Sequence, residues 1–202
     1  MKILGLTGSI AMGKSEVAQI LRSVGIPVFD ADGEVHRLYD SREGADLVRS
    51  LVPEAVTNDK VDRGILSKQV LANGALLEEL EKLVHREIRK SRDAFIEAQR
   101  QIAAPLVVLD IPLLFESGSE IQCDAILVVS SDPDLQTKRA LGRPGMTEQK
   151  LKMILKKQMP DAEKRRRANF IIENNGSKDE LRQAVLSLLE KLDIEGGRGR
   201  NG

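Results

Sequence analysis

The octet GSIAMGKS (8–15) constrains this chain more than any other stretch of it. It fits the pattern G-x-x-x-x-G-K-[ST] in full and sits between an apolar run, KILGLT (2–7), and a helical pattern that starts at Lys14. A short, nearly continuous apolar run is what a parallel strand covered on both faces looks like. A glycine loop leading from such a strand into a helix aims backbone N–H groups and the positive helix end at phosphate oxygens. Gly8 and Gly13 allow backbone angles and close approaches that a Cβ would obstruct. Lys14 can reach the β and γ phosphates and Ser15 can ligate Mg²⁺, so a nucleoside triphosphate such as ATP, with Mg²⁺, is the expected ligand.

The rest of the chain continues that beginning. Val17, Ala18, Ile20, Leu21 and Val24 repeat at helical spacing, Gly25 suits the helix stop, and IPVFD (26–30) reads as a second strand. LVVLDI (106–111), AILVVS (125–130) and FIIE (170–173) are three further buried-strand candidates. Helices are expected at 133–141, behind an Asp132 cap, and at 178–192. Five strands interleaved with helices predict an α/β fold: a three-layer sandwich around a five-stranded parallel sheet, as in P-loop nucleotide-binding proteins.

Two stretches break the rhythm and read as insertions at the edge of the sheet. Residues 40–104 hold no convincing strand, and 75–103 predicts one long helix with Leu76, Leu80, Leu83, Val84, Ile88, Phe95 and Ile102 as apolar positions, ended by Pro105. Residues 142–167 open with GRPGMT and continue as a basic helical stretch, and at least half of its run KRRR (164–167) reads as a solvated helix face. That leaves 1–39, 105–141 and 168–194 as a single nucleotide-binding core, and the tail 195–202, EGGRGRNG, as an expected disordered segment.

Composition narrows the function classes. Acidic and basic residues balance at 31 each, so no global field draws the chain toward nucleic acid or membrane. The 2% aromatic content, with no Trp, argues against a base-stacking platform for single-stranded nucleic acid. Cys123 is the only cysteine, which rules out an internal disulfide and reads as a bystander thiol in a reducing, cytoplasmic setting. No apolar run approaches membrane-spanning length.

The loop alone does not choose an acceptor for the phosphate. Just past the second strand, FDADGEVH (29–36) places Asp30 and Asp32 where residues beyond strand carboxyl ends face the ligand crevice. One of them can take a proton from an attacking hydroxyl. The other reading is helix capping, since Asp32 precedes GEVHRLY, and the pair allows one to cap while the other catalyses.

LTGSIAMGKSEVA, the DAD after strand two, DR (62–63), LVH (83–85), LDIPLLFE (109–116), TKRALGR (137–143) and IIENNGS (171–177) occur in this order. The ordered set resembles the dephospho-coenzyme A kinase family from Leu4 to about Ser177. The resemblance implies transfer of the γ-phosphate of ATP to the 3′-hydroxyl of the ribose in dephospho-CoA. It puts the catalytic base on Asp32, with Asp30 beside the acceptor, and keeps Lys14 and Ser15 in the roles given above. It makes 40–104 the acceptor-binding insertion and 142–167 a lid, with Arg139 and Arg143 at its entrance as partners for charge on the migrating phosphoryl group. Lid closure would exclude water as a competing acceptor.

Other positions follow from the same likeness. Asp110, after four apolar residues, resembles the second acidic motif of P-loop enzymes at large, which holds Mg²⁺ directly or through water, although the family does not uniformly keep an acid there. Pro112, Leu113, Leu114 and Glu116 are expected to shape the acceptor pocket, and His85 to meet the acceptor. Asn174 and Asn175 follow the last strand and either border the adenine or form an ordinary Asn-Gly turn. His36 reads as structural.

The departures lie mostly in the loop. Ser9, Ala11 and Met12 stand where the family is richer in glycine, and Glu16 where threonine is usual, although the four positions from Met12 to Ser15, with Ala11 and Glu16, still line the nucleotide. Arg86 replaces a proline after His85, and Asn169 a frequent aspartate. Two rival readings remain: a P-loop kinase for nucleosides or nucleotides, and a GTPase-like switch, which would ordinarily carry an N-K-x-D sequence that this chain lacks.

Overall fold

The computed structural model describes residues 1–192, so the tail at 195–202 lies outside it. The chain runs β1 (Lys2–Thr7), α1 (Lys14–Ser23), β2 (Val28–Asp30), α2 (Ala31–Tyr39) and α3 (Arg42–Leu51). Next come β3 (Val56–Thr57), β4 (Lys60–Val61), α4 (Arg63–Ala72) and α5 (Gly74–Gln101). The last part holds β5 (Leu106–Asp110), β6 (Ala125–Ser130), α6 (Pro133–Leu141), α7 (Glu148–Lys157), α8 (Asp161–Arg167), β7 (Phe170–Glu173) and α9 (Lys178–Lys191). Two compact units result: Met1–Phe29 together with the chain from Gln99 onward, and Asp30–Ala98.

In the first unit the five expected strands form one sheet in the order β2-β5-β1-β6-β7. β1 pairs in parallel with β5 on one side and β6 on the other, and β6 with β7. β5 therefore separates β1 from β2. The apolar runs are continuous because both faces are covered. Leu4, Leu6, Leu106, Val108, Leu127 and Val129 point to one face, where Val17 and Leu21 of α1 and Leu181, Val185 and Leu188 of α9 pack on them. Ile126 and Val128 point to the other, against Leu114 and Phe115. α1 stops as expected: Gly25 has φ 84, its N–H reaches Arg22 O, and Ile26 N–H reaches Leu21 O.

The second unit is helical and closes on Val48, Val52, Ala55, Leu66, Val70, Leu80 and Val84. In α5, Leu76, Leu80, Val84 and Ile88 fall four apart and supply one stripe to that cluster. Ile102 does not belong to the helix. It is 70% exposed just beyond the end, where Ala103 turns left-handed at φ 54 ahead of Pro105. A small antiparallel sheet, β3 with β4, also interrupts the stretch expected to hold no strand. Asn58 and Asp59, with φ 51 and 56, make the tight reversal between them, and two-residue strands are too short to show alternation.

Two further expectations change. Asp132 stands at the N-terminus of α6, but its side chain does not cap the helix; its Oδ1 accepts from Asn175 Nδ2 at 3.1 Å. The run at 164–167 is half solvated: Arg166 and Arg167 are exposed, whereas Lys164 is fully buried and Arg165, half-buried, pairs with Glu173 at 2.6 Å; Arg167 also pairs with Glu120 at 2.6 Å. Arg167 also stacks 4.5 Å above the Phe115 ring, and Ser130 Oγ donates to Asp161 Oδ2 at 2.6 Å. α8 is thereby fastened to the sheet, with Arg166 the most exposed member of the run.

Candidate active site

The glycine loop leaves β1 at the middle of the sheet, where neighbouring strands lead to opposite sides, the position at which open α/β sheets bind ligands. Each required glycine has its own local cause. A Cβ on Gly8 would stand 2.6 Å from Val129 O, so β6 allows no side chain there. Gly13 caps α1 with φ 99, and a Cβ on it would stand 1.9 Å from Asn174 Nδ2. Ala11 also adopts a left-handed conformation, φ 62, although it carries a methyl group; it is buried with Ala140 of α6 and Leu151 of α7.

Side chains from distant parts of the first unit hold the loop in shape. Gln136 Nε2 donates to Ile10 O at 2.9 Å, and Ile10 N–H donates to Gln158 Oε1 at 3.0 Å, so both sides of one residue are clamped. Met12 Sδ accepts from Ser131 N–H and Ser131 Oγ, each at 3.0 Å, and Met12 O accepts from Asn174 Nδ2 at 3.1 Å. Gln136, Gln158 and Ser131 carry no motif in the sequence; only the fold brings them to the loop.

At the start of α1, Lys14 Nζ lies 2.5 Å from Asp110 Oδ1, with side-chain exposures of 15% and 5%. The pairing follows from register: Leu6 stands opposite Asp110, so the end of β5 flanks the root of the loop. Ser15 and Glu16 are exposed on the first turn of α1. Ser15 therefore presents its hydroxyl to solvent, which fits an ion such as Mg²⁺ that keeps several waters. The covered Asp110, already engaged by Lys14, fits a contact through water better than direct ligation.

Arg139 reaches back with Nη1 to Asn174 O at 2.9 Å, while Arg143, just past α6, is exposed. Asn175 exchanges two hydrogen bonds with Asp132, at 2.8 and 3.1 Å. Thr7 Oγ1 donates to Pro112 O at 2.9 Å and fixes the turn after β5. Leu113 is 45% exposed there, but Leu114 is fully buried and supports the turn from beneath rather than lining a pocket. Glu116 Oε1 accepts from Met159 N–H at 2.7 Å and lies 2.9 Å from Lys164 Nζ, an ion pair off the line of a hydrogen bond. Burial raises the Glu116 carboxyl, but Lys164 and the Met159 N–H outweigh it and hold it below the usual glutamate range. The side chain thus ties the turn after β5 to the root of α8.

Asp30, Asp32 and His85 belong to the second unit. Asp30 is the cap of α2, its Oδ1 accepting from Gly33 N–H at 2.9 Å. The helix begins two residues earlier than a cap at Asp32 would have it, so capping falls to Asp30 and leaves Asp32 exposed in the first turn. His85 is exposed on α5, and His36 Nδ1 lies 2.5 Å from Arg63 Nη1. Among the described residues no cluster of His, Cys, Asp and Glu is arranged to hold a metal by itself, and no helix is long and apolar enough to cross a membrane.

A family model described as dephospho-CoA kinase matches residues 2–180. The dephospho-CoA kinase of Bradyrhizobium diazoefficiens is 45% identical over 192 residues, covering 95% of this chain and 96% of its own. That of Brucella melitensis is 44% identical with the same coverage. Among solved structures, dephospho-CoA kinase from Campylobacter jejuni superposes with a TM-score of 0.72 at 27% identity, covering 94% of this chain and 96% of its own. Shikimate kinase from Acinetobacter baumannii, at 18% identity and a TM-score of 0.53 over 96% of both chains, shares the fold. With its loop, sheet order and nearly full-length match, the chain belongs to the dephospho-CoA kinase family.

Proposed function

We propose that this kinase moves the γ-phosphate of ATP to the 3′-hydroxyl of the ribose of dephospho-CoA, with Asp32 as general base and the loop from Gly8 to Ser15 as the polyphosphate cradle. Family membership makes the chain a transferase that phosphorylates dephospho-CoA to coenzyme A at the expense of a nucleotide. The division of roles rests chiefly on one observation: Asp30 is committed to capping α2, which leaves the neighbouring, exposed Asp32 as the carboxylate for the hydroxyl proton.

In this reading, loop N–H groups and the N-terminus of α1 bind the β and γ phosphates. Lys14 exchanges Asp110 for phosphate oxygen. Arg139 and Arg143 meet charge on the phosphoryl group as it moves, and α7 and its flanks, as part of the lid, exclude water. Ser15, with Asp110 through water, would hold Mg²⁺, which when bound would offset phosphate charge. Pro112 and Leu113, with Asp30 and His85, are assigned to the acceptor. A single half-buried cysteine, Cys123, supports a cytoplasmic setting.

The test is an acceptor panel with purified protein, labelled ATP and Mg²⁺. Dephospho-CoA should be phosphorylated at the ribose 3′ position, identified by phosphorus NMR of the product, with nucleosides and nucleoside monophosphates far slower. Phosphorylation of a nucleoside monophosphate in preference to dephospho-CoA would overturn the assignment.

A further inference from the structure

We infer that Asn174 is a positioning residue of the phosphate loop, holding Met12 and Gly13 with its side chain and Arg139 with its main chain, and not a contact for the adenine base. The inference rests on the reading that this loop binds the polyphosphate of ATP.

Asn174 is only 3% exposed, so its carboxamide must find partners inside the protein. Its Nδ2 donates to Met12 O at 3.1 Å. A backbone carbonyl can only accept, so the nitrogen and not the oxygen has to face Met12. The same Nδ2 fills the space beside Gly13 that a side chain would need, 1.9 Å from where a Cβ would stand. Carboxamide and missing side chain are therefore two halves of one fit.

The consequence for the loop follows from peptide geometry. In a trans peptide the C=O and the next N–H point in opposite directions across one plane. Pinning Met12 O toward Asn174 turns the N–H of Gly13 away from Asn174, as a donor to an anion. Asn174 is itself immobile: its N–H donates to Ser130 O at 2.8 Å at the end of β6. Its own carbonyl accepts from Arg139 Nη1 at 2.9 Å. One residue thus references the anion cradle and a lid-entrance arginine to the same strand end. At 3% exposure the Asn174 side chain offers little surface on which a base could be read.

The experiment uses the full chain with Asn174→Ala and with Asn174→Leu, which keeps the space filled so that folding is retained. Wild type and Lys14→Ala serve as references. Three quantities are read: inhibition by inorganic tripolyphosphate, the ratio of kcat/KM for ATP over GTP, and KM for dephospho-CoA. Loss of one buried hydrogen bond should weaken tripolyphosphate and raise KM for ATP by a common factor of about tenfold. The ATP-over-GTP ratio and KM for dephospho-CoA should stay within about twofold, a pattern that general loss of structure does not produce. Unchanged tripolyphosphate inhibition, or a collapse of the ATP-over-GTP ratio, would overturn the positioning role. If Lys14→Ala also leaves tripolyphosphate inhibition unchanged, it is the loop reading itself that fails.

Discussion

Lys14 and Asp110 form a largely covered ion pair, Nζ to Oδ1 at 2.5 Å, so the lysine of the phosphate loop already has an anionic partner before any phosphate arrives. Nucleotide binding must exchange one anion for another. Asp110→Asn should therefore destabilise the protein without ligand by about 2 kcal/mol, the worth of a charge-assisted hydrogen bond. Because phosphate then takes a lysine with no competitor, ATP without added magnesium should raise the Tm more in the variant than in the wild type, by roughly 4–8 °C. Thermal melts with and without ATP check this, and an equal or smaller shift in Asp110→Asn would rule out the exchange.

Asp32 should separate from its neighbour in kinetics. Asp32→Asn is expected to lower kcat by roughly 10²–10⁴ with KM for ATP nearly unchanged, the mark of a lost general base. Asp30→Asn keeps a side chain able to cap α2 and should cost far less. Steady-state rates of both variants decide the matter; near-normal turnover of Asp32→Asn removes it from the mechanism.

Glu116 carries a pH dependence of known sign. Its carboxyl is held below the usual glutamate range when folded, so the stabilisation is present above about 4.3, the unfolded value, and fades as the pH falls through the lower folded value. The Tm of the wild type should fall more steeply on acidification below that point than the Tm of Glu116→Gln. At neutral pH Glu116→Gln should be less stable by about 3 kcal/mol, since it leaves the Lys164 ammonium buried without its anion. Adding Lys164→Met should recover much of that loss, and denaturant melts of the wild type and the two variants measure it.

Ala11 balances two opposed effects. A left-handed alanine costs about 1–2 kcal/mol relative to glycine, and the buried methyl returns about 0.8 kcal/mol by packing on Ala140 and Leu151. Ala11→Gly should thus move the Tm by no more than about 4 °C. Ala11→Val, which adds a branched side chain to the same φ, should lower it by more than that. A large loss in Ala11→Gly would mean that the contact with Leu151 outweighs the backbone term.

What the sequence made legible was local. Gly13, Lys14 and Ser15 announce the loop because each is required by its own backbone geometry or by the phosphate, and Gly8 completes the spacing although its own cause is the carbonyl of Val129 on β6. The five sheet strands were readable because double coverage leaves an unbroken apolar run, and Gly25 because a left-handed stop needs glycine. The misses are non-local. Asn174 serves Met12 from the far end of the chain, and its Asn-Gly surroundings look like any turn. Lys164 stands in a basic run whose composition says solvent, yet Glu116 draws it inside. Gln158 and Gln136 have side chains that suit almost any surface position, and only the fold turns them on Ile10. Of DAD, the sequence offered two equivalent carboxylates; the exact start of α2 distinguishes them, and helix starts are the least sharply written feature of a chain.

The fastening of α8 divides the basic segment into parts that differ in vulnerability to cutting. Lys150, Lys152, Lys156 and Lys157 are exposed on α7, whereas Lys164 is fully covered. Of these lysines, a trypsin-like protease acting on the native enzyme would reach those of α7 and pass over Lys164. The downstream fragment would stay bound through Asp161, Glu116 and Arg167, so a chain severed in two would still travel as one particle until a denaturant parted it.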